Sequence, residues 1–221
     1  NPALHIFAHA DGGNCLLGCM LSAASCNRWF MEDILKTDDY AAEQSAITEE
    51  KLGCNPEYFL PYLMGERSPI NDVNARGVFF GMTMDTSRAD LLQAILEGVA
   101  FAIRDSVEIA AKNGLLPEKS KICGGGAKSP LWRKIFAAVL NLPLEIPENE
   151  QGPGIGAALL AEAAGTGANI RQLSREYAHA SETVLPDPIL VERYEKRYQQ
   201  FRKIYPACRE LFTEFAKEQE V

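Results

Sequence analysis

KICGGGAKSPLWRKIFAAVLNLPLEI, the stretch from residue 121 to residue 146, contains the clearest order of elements in the chain. Residues 121–123 predict a brief strand, residues 129–141 a helix, and residues 144–146 a second strand. This strand–helix–strand order is typical of an α/β domain. We therefore predict an α/β fold in which this unit is central.

Three consecutive glycines, Gly124, Gly125 and Gly126, join the first strand to the helix. Glycine permits positive φ angles and lets a ligand approach the backbone closely. The helix start behind the glycines presents free N–H groups and a partial positive charge, with Ser129 suited to the N-cap and Pro130 to the first turn. The motif fits a cradle for a phosphate or a ribose, although a plain tight turn would have the same sequence.

The rest of the chain adds helices and short strands around this unit. The longest predicted helix starts at Ser87 and Asp90, which form a capping-box pattern, and ends at Asn113-Gly114. The other predicted elements are a hairpin in the first twenty residues, helices over 22–35, 40–51 and 154–164, strands near 58–63 and 77–81, and a helix over 189–219 bent at Pro206. Glu66 and Arg67 lie in the long loop between the strands, either as a solvated charged segment or facing a cleft.

Charge and composition narrow the function classes. The 221 residues carry a net charge of −8, which argues against nucleic acid as a partner because phosphate backbones are bound by clustered Lys and Arg. No apolar run approaches the roughly 20 residues that a membrane span needs. The six cysteines form no CxxC pair, so we expect buried free thiols in a reducing cytoplasm and no metal site. The chain starts at Asn1-Pro2 without an initiator Met, as expected for a piece of a longer polypeptide.

A second glycine motif, GPGIGA at residues 152–157, satisfies the dinucleotide pattern GxGxxG/A. That fingerprint needs a strand running straight into its first glycine and an acidic residue about 20 residues further on. Here residues 147–151 separate the glycine from the strand. We therefore interpret the motif as a small-residue helix packed tightly against a neighbour, with a dinucleotide-dependent oxidoreductase as the weaker alternative.

Several stretches together resemble the C-terminal half of FGGY carbohydrate kinases. The segment GVFFGMTMDTSRADLLQAILE, residues 77–97, looks like the second signature pattern of that family throughout its length. Residues 59–81, MLSAAS at 20–25 and GGGAKSPLW at 124–132 look more specifically like the xylulokinase members. The resemblance covers nearly the whole chain, from about His5 to the last helix.

The resemblance implies a ribonuclease H-like lobe of the actin/hexokinase/Hsp70 ATPase type, with a mixed sheet flanked by helices. Residues 1–221 would be the C-terminal, nucleotide-binding lobe, without the N-terminal sugar-binding lobe and without the catalytic aspartate. Residues 154–164 would be a helix that connects the lobes. The residues that would contact the nucleotide are Ala23, Asn27, Gly124, Gly125, Gly126, Lys128 and Ser129.

The implied activity of the longer protein is transfer of the γ-phosphoryl group of ATP to a sugar or polyol, with D-xylulose favoured. Gluconate, ribulose, fuculose and glycerol are alternative substrates within the family. Mg²⁺ would be bound mainly through the nucleotide, and no residue of this chain is expected to be catalytic. A non-catalytic nucleotide-binding module is the alternative, and a homodimer is a candidate assembly that the sequence does not decide.

Overall fold

Helices and short strands alternate through residues 3–148, 152–177 and 179–219, which this computed structural model describes. The α-helices are α1 (Ala23–Arg28), α2 (Tyr40–Ser45), α3 (Arg88–Lys112), α4 (Pro130–Leu140), α5 (Pro153–Thr166), α6 (Ile170–Tyr177) and α7 (Pro188–Gln219). A π-helical segment at Trp29–Ile34 continues α1, and 3₁₀ turns lie at Glu49–Lys51 and Gly125–Lys128. The strands are β1 (His5–Ala8), β2 (Asn14–Leu17), β3 (Tyr58–Leu60), β4 (Val78–Phe80), β5 (Ser120–Lys121), β6 (Leu144–Pro147) and β7 (Ala180–Val184).

The strands form two hairpins and one mixed sheet. β1 pairs antiparallel with β2, which confirms the predicted N-terminal hairpin, and β3 pairs antiparallel with β4. In the third sheet β6 is central, parallel to β5 and antiparallel to β7. The predicted strand before the glycines is shorter than expected, although the Ile122 N–H still donates to the Glu145 carbonyl at 3.0 Å.

Helix α3 lies at the centre of the hydrophobic core. Every residue from 92 to 102 is buried, because β3, α1, α4 and α7 pack around this part of the helix. The helix begins at Ser87, whose side chain accepts from the Asp90 N–H, while the Asp90 carboxylate accepts from the Ser87 N–H. The capping box predicted from the sequence is confirmed.

A buried polar cluster joins α3 to α7. The Glu97 carboxylate lies 2.8 Å from the Arg197 guanidinium, and both side chains are buried. Glu97 also accepts hydrogen bonds from the Tyr194 hydroxyl at 3.1 Å and the Gln93 side chain at 2.7 Å. Three side chains therefore donate to the Glu97 carboxylate, as a buried ion pair requires, whereas the side-chain oxygen of Gln93 has no partner in the described structure.

Two elements near the C-terminus were not predicted. Helix α6 and strand β7 lie between the predicted helices over 154–164 and 189–219, where the sequence predicts no element, and His179 lies between the two. The predicted bend at Pro206 leaves α7 unbroken, since the helix continues through that residue. No helix in the described part of the chain combines the length and apolar character that crossing a membrane would need.

The expected packing of α5 and of the cysteines is partly wrong. None of the described residues of α5 is buried, and a Cβ added at Gly156 would meet nothing within 4 Å, so the helix does not pack tightly within this chain. All six cysteines are free, but only Cys26 is buried, whereas Cys54 and Cys123 are exposed. Burial raises the pKa of the Cys26 thiol to about 12.

The long loop between β3 and β4 is held in place by the buried side chain of Glu66. Glu66 is buried whereas its neighbour Arg67 is exposed, so a solvated charged segment describes Arg67 but not Glu66. Its Oε1 accepts hydrogen bonds from the Leu21 N–H at 3.0 Å and the Arg67 N–H at 2.7 Å. Burial raises the pKa of the Glu66 carboxyl, with the two N–H donors acting in the opposite direction. The residue therefore ties the loop to the segment that leads into α1.

Candidate functional site

A cavity of about 620 Å³ lies between the glycine turn, defined here as residues 124–129, and helices α1 and α2. One wall comes from the turn and the start of α4: Gly125, Gly126, Lys128, Ser129, Pro130 and Trp132. The opposite wall comes from α1 and α2: Ala24, Ser25, Asn27, Arg28, Tyr40, Ala41 and Gln44. The volume is in the range of small-molecule and cofactor sites.

The backbone of the glycine turn leaves room for a ligand. Gly124 has φ +83° and ψ −169°, a region that essentially only glycine adopts. A Cβ at Gly125 would meet nothing within 4 Å, so the cavity reaches the backbone there. Gly125 and Gly126 open the 3₁₀ turn, where N–H groups have no acceptor within the helix. These N–H groups are donors that an anionic ligand could use.

Ser129 and Trp132 fix the turn to the hydrophobic core. The Ser129 hydroxyl caps α4 by accepting from the Trp132 N–H at 3.0 Å, as the sequence predicts. The Trp132 indole N–H donates to the Leu96 carbonyl in α3 at 2.9 Å. Because Trp132 is buried and α3 is the core helix, the position of the turn is set by the core.

The side chain of Asn27 brings a buried polar group to the opposite wall. Asn27 is 5% exposed, and its Oδ1 has no hydrogen-bond partner within the described structure. Buried polar atoms are nearly always paired, and an unpaired one costs about 1–3 kcal/mol. The Oδ1 atom lies beneath the cavity surface, so a ligand or a water would relieve this cost only if the side chain turned towards the cavity.

The cavity has a positive local charge in a chain whose net charge is −8. Arg28 and Lys128 line it, and its lining includes no Asp or Glu. Within the described residues neither cation takes part in an ion pair. Burial, followed by the nearby Glu32 carboxylate, raises the pKa of Tyr40 to about 12, so this wall residue stays neutral at physiological pH. The local field therefore favours an anionic ligand.

Five of the seven predicted site residues line this cavity: Asn27, Gly125, Gly126, Lys128 and Ser129. Ala23 and Gly124 do not line it, and each directly precedes residues that do. The sequence interpretation missed Arg28 and all of the α2 wall, Tyr40, Ala41 and Gln44. The helical pattern of α2 was visible, but no local signal showed that it faces the glycine turn.

Comparison with known proteins identifies the family. Residues 10–165 match the model of the FGGY family of carbohydrate kinases, C-terminal domain. The chain belongs to the FGGY family of carbohydrate kinases. The xylulose kinase of Escherichia coli K12 is 35% identical over 210 residues, which are 92% of this chain and 42% of that protein.

Solved FGGY kinases share the fold. The xylulose kinase of Lactobacillus acidophilus superposes with a TM-score of 0.85 at 26% identity, covering 96% of this chain and 44% of that one. The gluconate kinase of the same organism gives a TM-score of 0.84, also at 26% identity, with the same coverage of 96% and 44%. The predicted actin/hexokinase-type ATPase fold is therefore confirmed. This FGGY chain spans less than half the length of the curated relatives that it matches.

Proposed function

We propose that this chain is the C-terminal, nucleotide-binding lobe of an ATP-dependent sugar kinase and that the cavity described above receives ATP or ADP. The observation that carries the proposal is the lining of the cavity, which combines Arg28 and Lys128, backbone N–H groups at Gly125 and Gly126 that have no acceptor in the described structure, and no carboxylate. This combination complements a polyphosphate although the chain as a whole is acidic.

Phosphoryl transfer needs positioning and charge stabilisation more than covalent chemistry from the protein. In this proposal the turn amides and the positive end of α4 orient the phosphates, while Arg28 and Lys128 offset their charge. In this proposal an N-terminal lobe supplies the carboxylate that accepts the sugar proton and the groups that bind the sugar. The relatives are more than twice as long as this chain, which is enough for such a lobe. Helix α5, with no buried residue in this chain, would contact that lobe.

Mg²⁺ is expected to neutralise phosphate charge when it is bound with the nucleotide. Among the described residues, no group of three or more His, Cys, Asp or Glu side chains could hold a metal ion, and the cavity lining offers no carboxylate. The residues present therefore fit ATP rather than a protein-held metal. We assign the ion to the nucleotide and derive no role for it in this chain.

D-xylulose is the sugar that we propose, with xylulose 5-phosphate as product. The support is the sequence similarity to xylulose kinases, which reaches 35% identity over 92% of the chain. The fold does not separate xylulose from gluconate, because the two Lactobacillus acidophilus kinases superpose almost equally well.

Titration calorimetry of the chain with ATP and, separately, with NAD tests the nucleotide proposal. We expect ATP to bind and NAD to give no signal, and NAD binding without ATP binding would favour the oxidoreductase alternative instead. The chain alone should phosphorylate no sugar. A longer protein that includes the N-terminal lobe should phosphorylate D-xylulose in preference to gluconate, ribulose, fuculose and glycerol, and a preference for another member of this panel would overturn the xylulose assignment alone.

A further inference from the structure

One hydrogen bond crosses the cavity from the glycine turn to helix α2. The Ser129 hydroxyl donates to the Gln44 side-chain carbonyl, with an O–O distance of 2.5 Å. The same hydroxyl already accepts from the Trp132 N–H as the cap of α4, so its proton is directed across the cavity. Gln44 was not identified as a site residue from the sequence.

The two partners of Ser129 define the orientation of the Gln44 amide group. The hydroxyl accepts from the Trp132 N–H and therefore has its own proton to donate, and the atom that accepts this proton is Gln44 Oε1. The oxygen of the amide therefore faces Ser129, and the nitrogen is the atom left over. In the described structure the two N–H groups of Gln44 Nε2 have no acceptor, and Gln44 lines the cavity.

The surroundings of Gln44 suit a flat aromatic ring. Tyr40 and Ala41 lie beside it on α2, and Pro130 and Trp132 lie on the facing wall. The phosphate-binding groups, by contrast, are the turn amides and the two cations. A nucleotide with its phosphates at Gly125 would therefore place its base, the part that gains most from apolar contact, towards these residues.

We propose that Gln44 positions the purine base by donating a hydrogen bond from Nε2 to a ring nitrogen of adenine. An amide whose oxygen is held by Ser129 can only donate towards the cavity, and the acceptors of adenine are its ring nitrogens N1, N3 and N7. Ser129 thus acts on the base through Gln44, in addition to capping α4. This inference rests on the proposed function, because it requires that the cavity binds ATP.

The test combines two variants of Gln44 with ATP analogues in which one ring nitrogen is replaced by C–H. Gln44→Glu keeps an oxygen for Ser129 but removes both donors, and Gln44→Met removes the amide without adding charge. Binding is followed in the 221-residue chain by its tryptophan fluorescence, because one of its two tryptophans, Trp132, lines the cavity. Gln200→Glu, on the exposed face of α7, is the matched control for the added charge and should bind ATP as the wild type does.

We expect both Gln44 variants to bind ATP about tenfold more weakly than the wild type, as for loss of a hydrogen bond that leaves a buried acceptor unpaired. One of the three analogues, 1-deaza-, 3-deaza- or 7-deaza-ATP, should bind the wild type about as weakly as ATP binds the Gln44 variants. The affinity for that analogue should fall little further in Gln44→Met. Urea midpoints of the variants check that folding is preserved.

Two outcomes contradict the inference and differ in what else they affect. If the wild type binds ATP but Gln44→Met loses as much affinity for all three deaza analogues as for ATP, Gln44 does not contact a ring nitrogen, and the proposed function stands. Unchanged ATP affinity in Gln44→Met has the same meaning. If the wild type does not bind ATP at all, both this inference and the proposed function are wrong.

Discussion

Two of the three glycines of the turn are required by the fold, each for a different reason. Gly124 is set by its backbone angles, whereas a Cβ at Gly126 would lie 3.1 Å from the Trp132 ring. At Gly125 neither constraint applies, because a Cβ there would project into open space and φ is not positive. Gly125 is therefore the position at which a side chain reports on the ligand rather than on the fold.

Replacing Gly125 by Asp should weaken ATP binding by about tenfold or more, because a carboxylate would stand where phosphate is proposed to approach. Gly125→Ala is the matched control and should stay within about threefold of the wild type, since the added methyl group meets no protein atom. Titration calorimetry of both variants measures the difference. Equal ATP affinity in Gly125→Asp and the wild type would exclude the turn from the nucleotide site.

For single residues, the sequence predicts those whose role depends on their immediate neighbours in the chain. Ser129 is recognisable because an N-cap is a local sequence pattern. The glycines are recognisable because a turn before a helix is also a local pattern. Gln44 is not recognisable, since its partner Ser129 lies 85 residues away in the chain. Arg28 was missed for the same reason, because its position on the wall depends on how α1 packs against α3.

Two glycines inside helices show how element packing changes the meaning of one residue type. Gly98 lies in α3, where a Cβ would come within 2.2 Å of the Phe59 carbonyl oxygen of β3. Gly156 lies in α5 and has no atom within 4 Å of an added Cβ. The first glycine allows a strand to approach the core helix, and the second has no such role within this chain.

Gly98→Ala should lower the free energy of unfolding by about 1–3 kcal/mol or more, because β3 or α3 must move to relieve the overlap. Gly156→Ala should raise it by about 0.5–1 kcal/mol, because alanine is the better helix former at an uncrowded position. Urea unfolding of the two variants followed by circular dichroism measures both changes. A stabilised Gly98→Ala variant would show that α3 does not hold β3 at this distance.

The elements that the sequence predicted are those whose periodicity is strong or whose ends carry caps. Helix α3 has both, and α4 has Ser129 and Pro130 at its start. Helix α6 is strongly amphipathic, but it has only eight residues and one buried side chain, Leu173, so its pattern is too short to repeat. Strand β7 is mostly exposed and is defined by its pairing with β6, a contact that no window of sequence around residue 182 contains.

At the scale of the whole molecule, the local charge of the site and the overall charge of the chain have opposite signs. A chain with a net charge of −8 offers no general attraction to an anion, so an anion site on it must be built locally. Two apolar side chains on the surface are exposed: Ile6 in β1 is 70% exposed and Leu160 in α5 is 48% exposed. The exposure of Ile6 and Leu160 agrees with our proposal that this chain is a lobe that works beside another one.

The long-range stability of the lobe should depend on the buried pair of Glu97 and Arg197, which joins the core helix to the C-terminal helix. Glu97→Ala leaves Arg197 buried without its counter-charge and also removes the acceptor of Tyr194, so we expect a loss of about 3–5 kcal/mol. Lys196→Ala is the matched control, because the neighbouring pair with Glu192 is exposed at 74% and 73% and should contribute less than about 1 kcal/mol.

Urea unfolding of both variants measures the two contributions, and a loss in Glu97→Ala no larger than in Lys196→Ala would contradict the role of the pair. If Glu97→Ala does not fold, Glu97→Gln gives the comparison, because it keeps an acceptor for Tyr194 while removing the charge. Its unfolding midpoint should lie clearly below that of Lys196→Ala. The reason is geometric: Arg197 also donates to the Glu57 carbonyl at 2.8 Å, so its charge cannot leave the core without breaking the link between α7 and the segment that leads into β3.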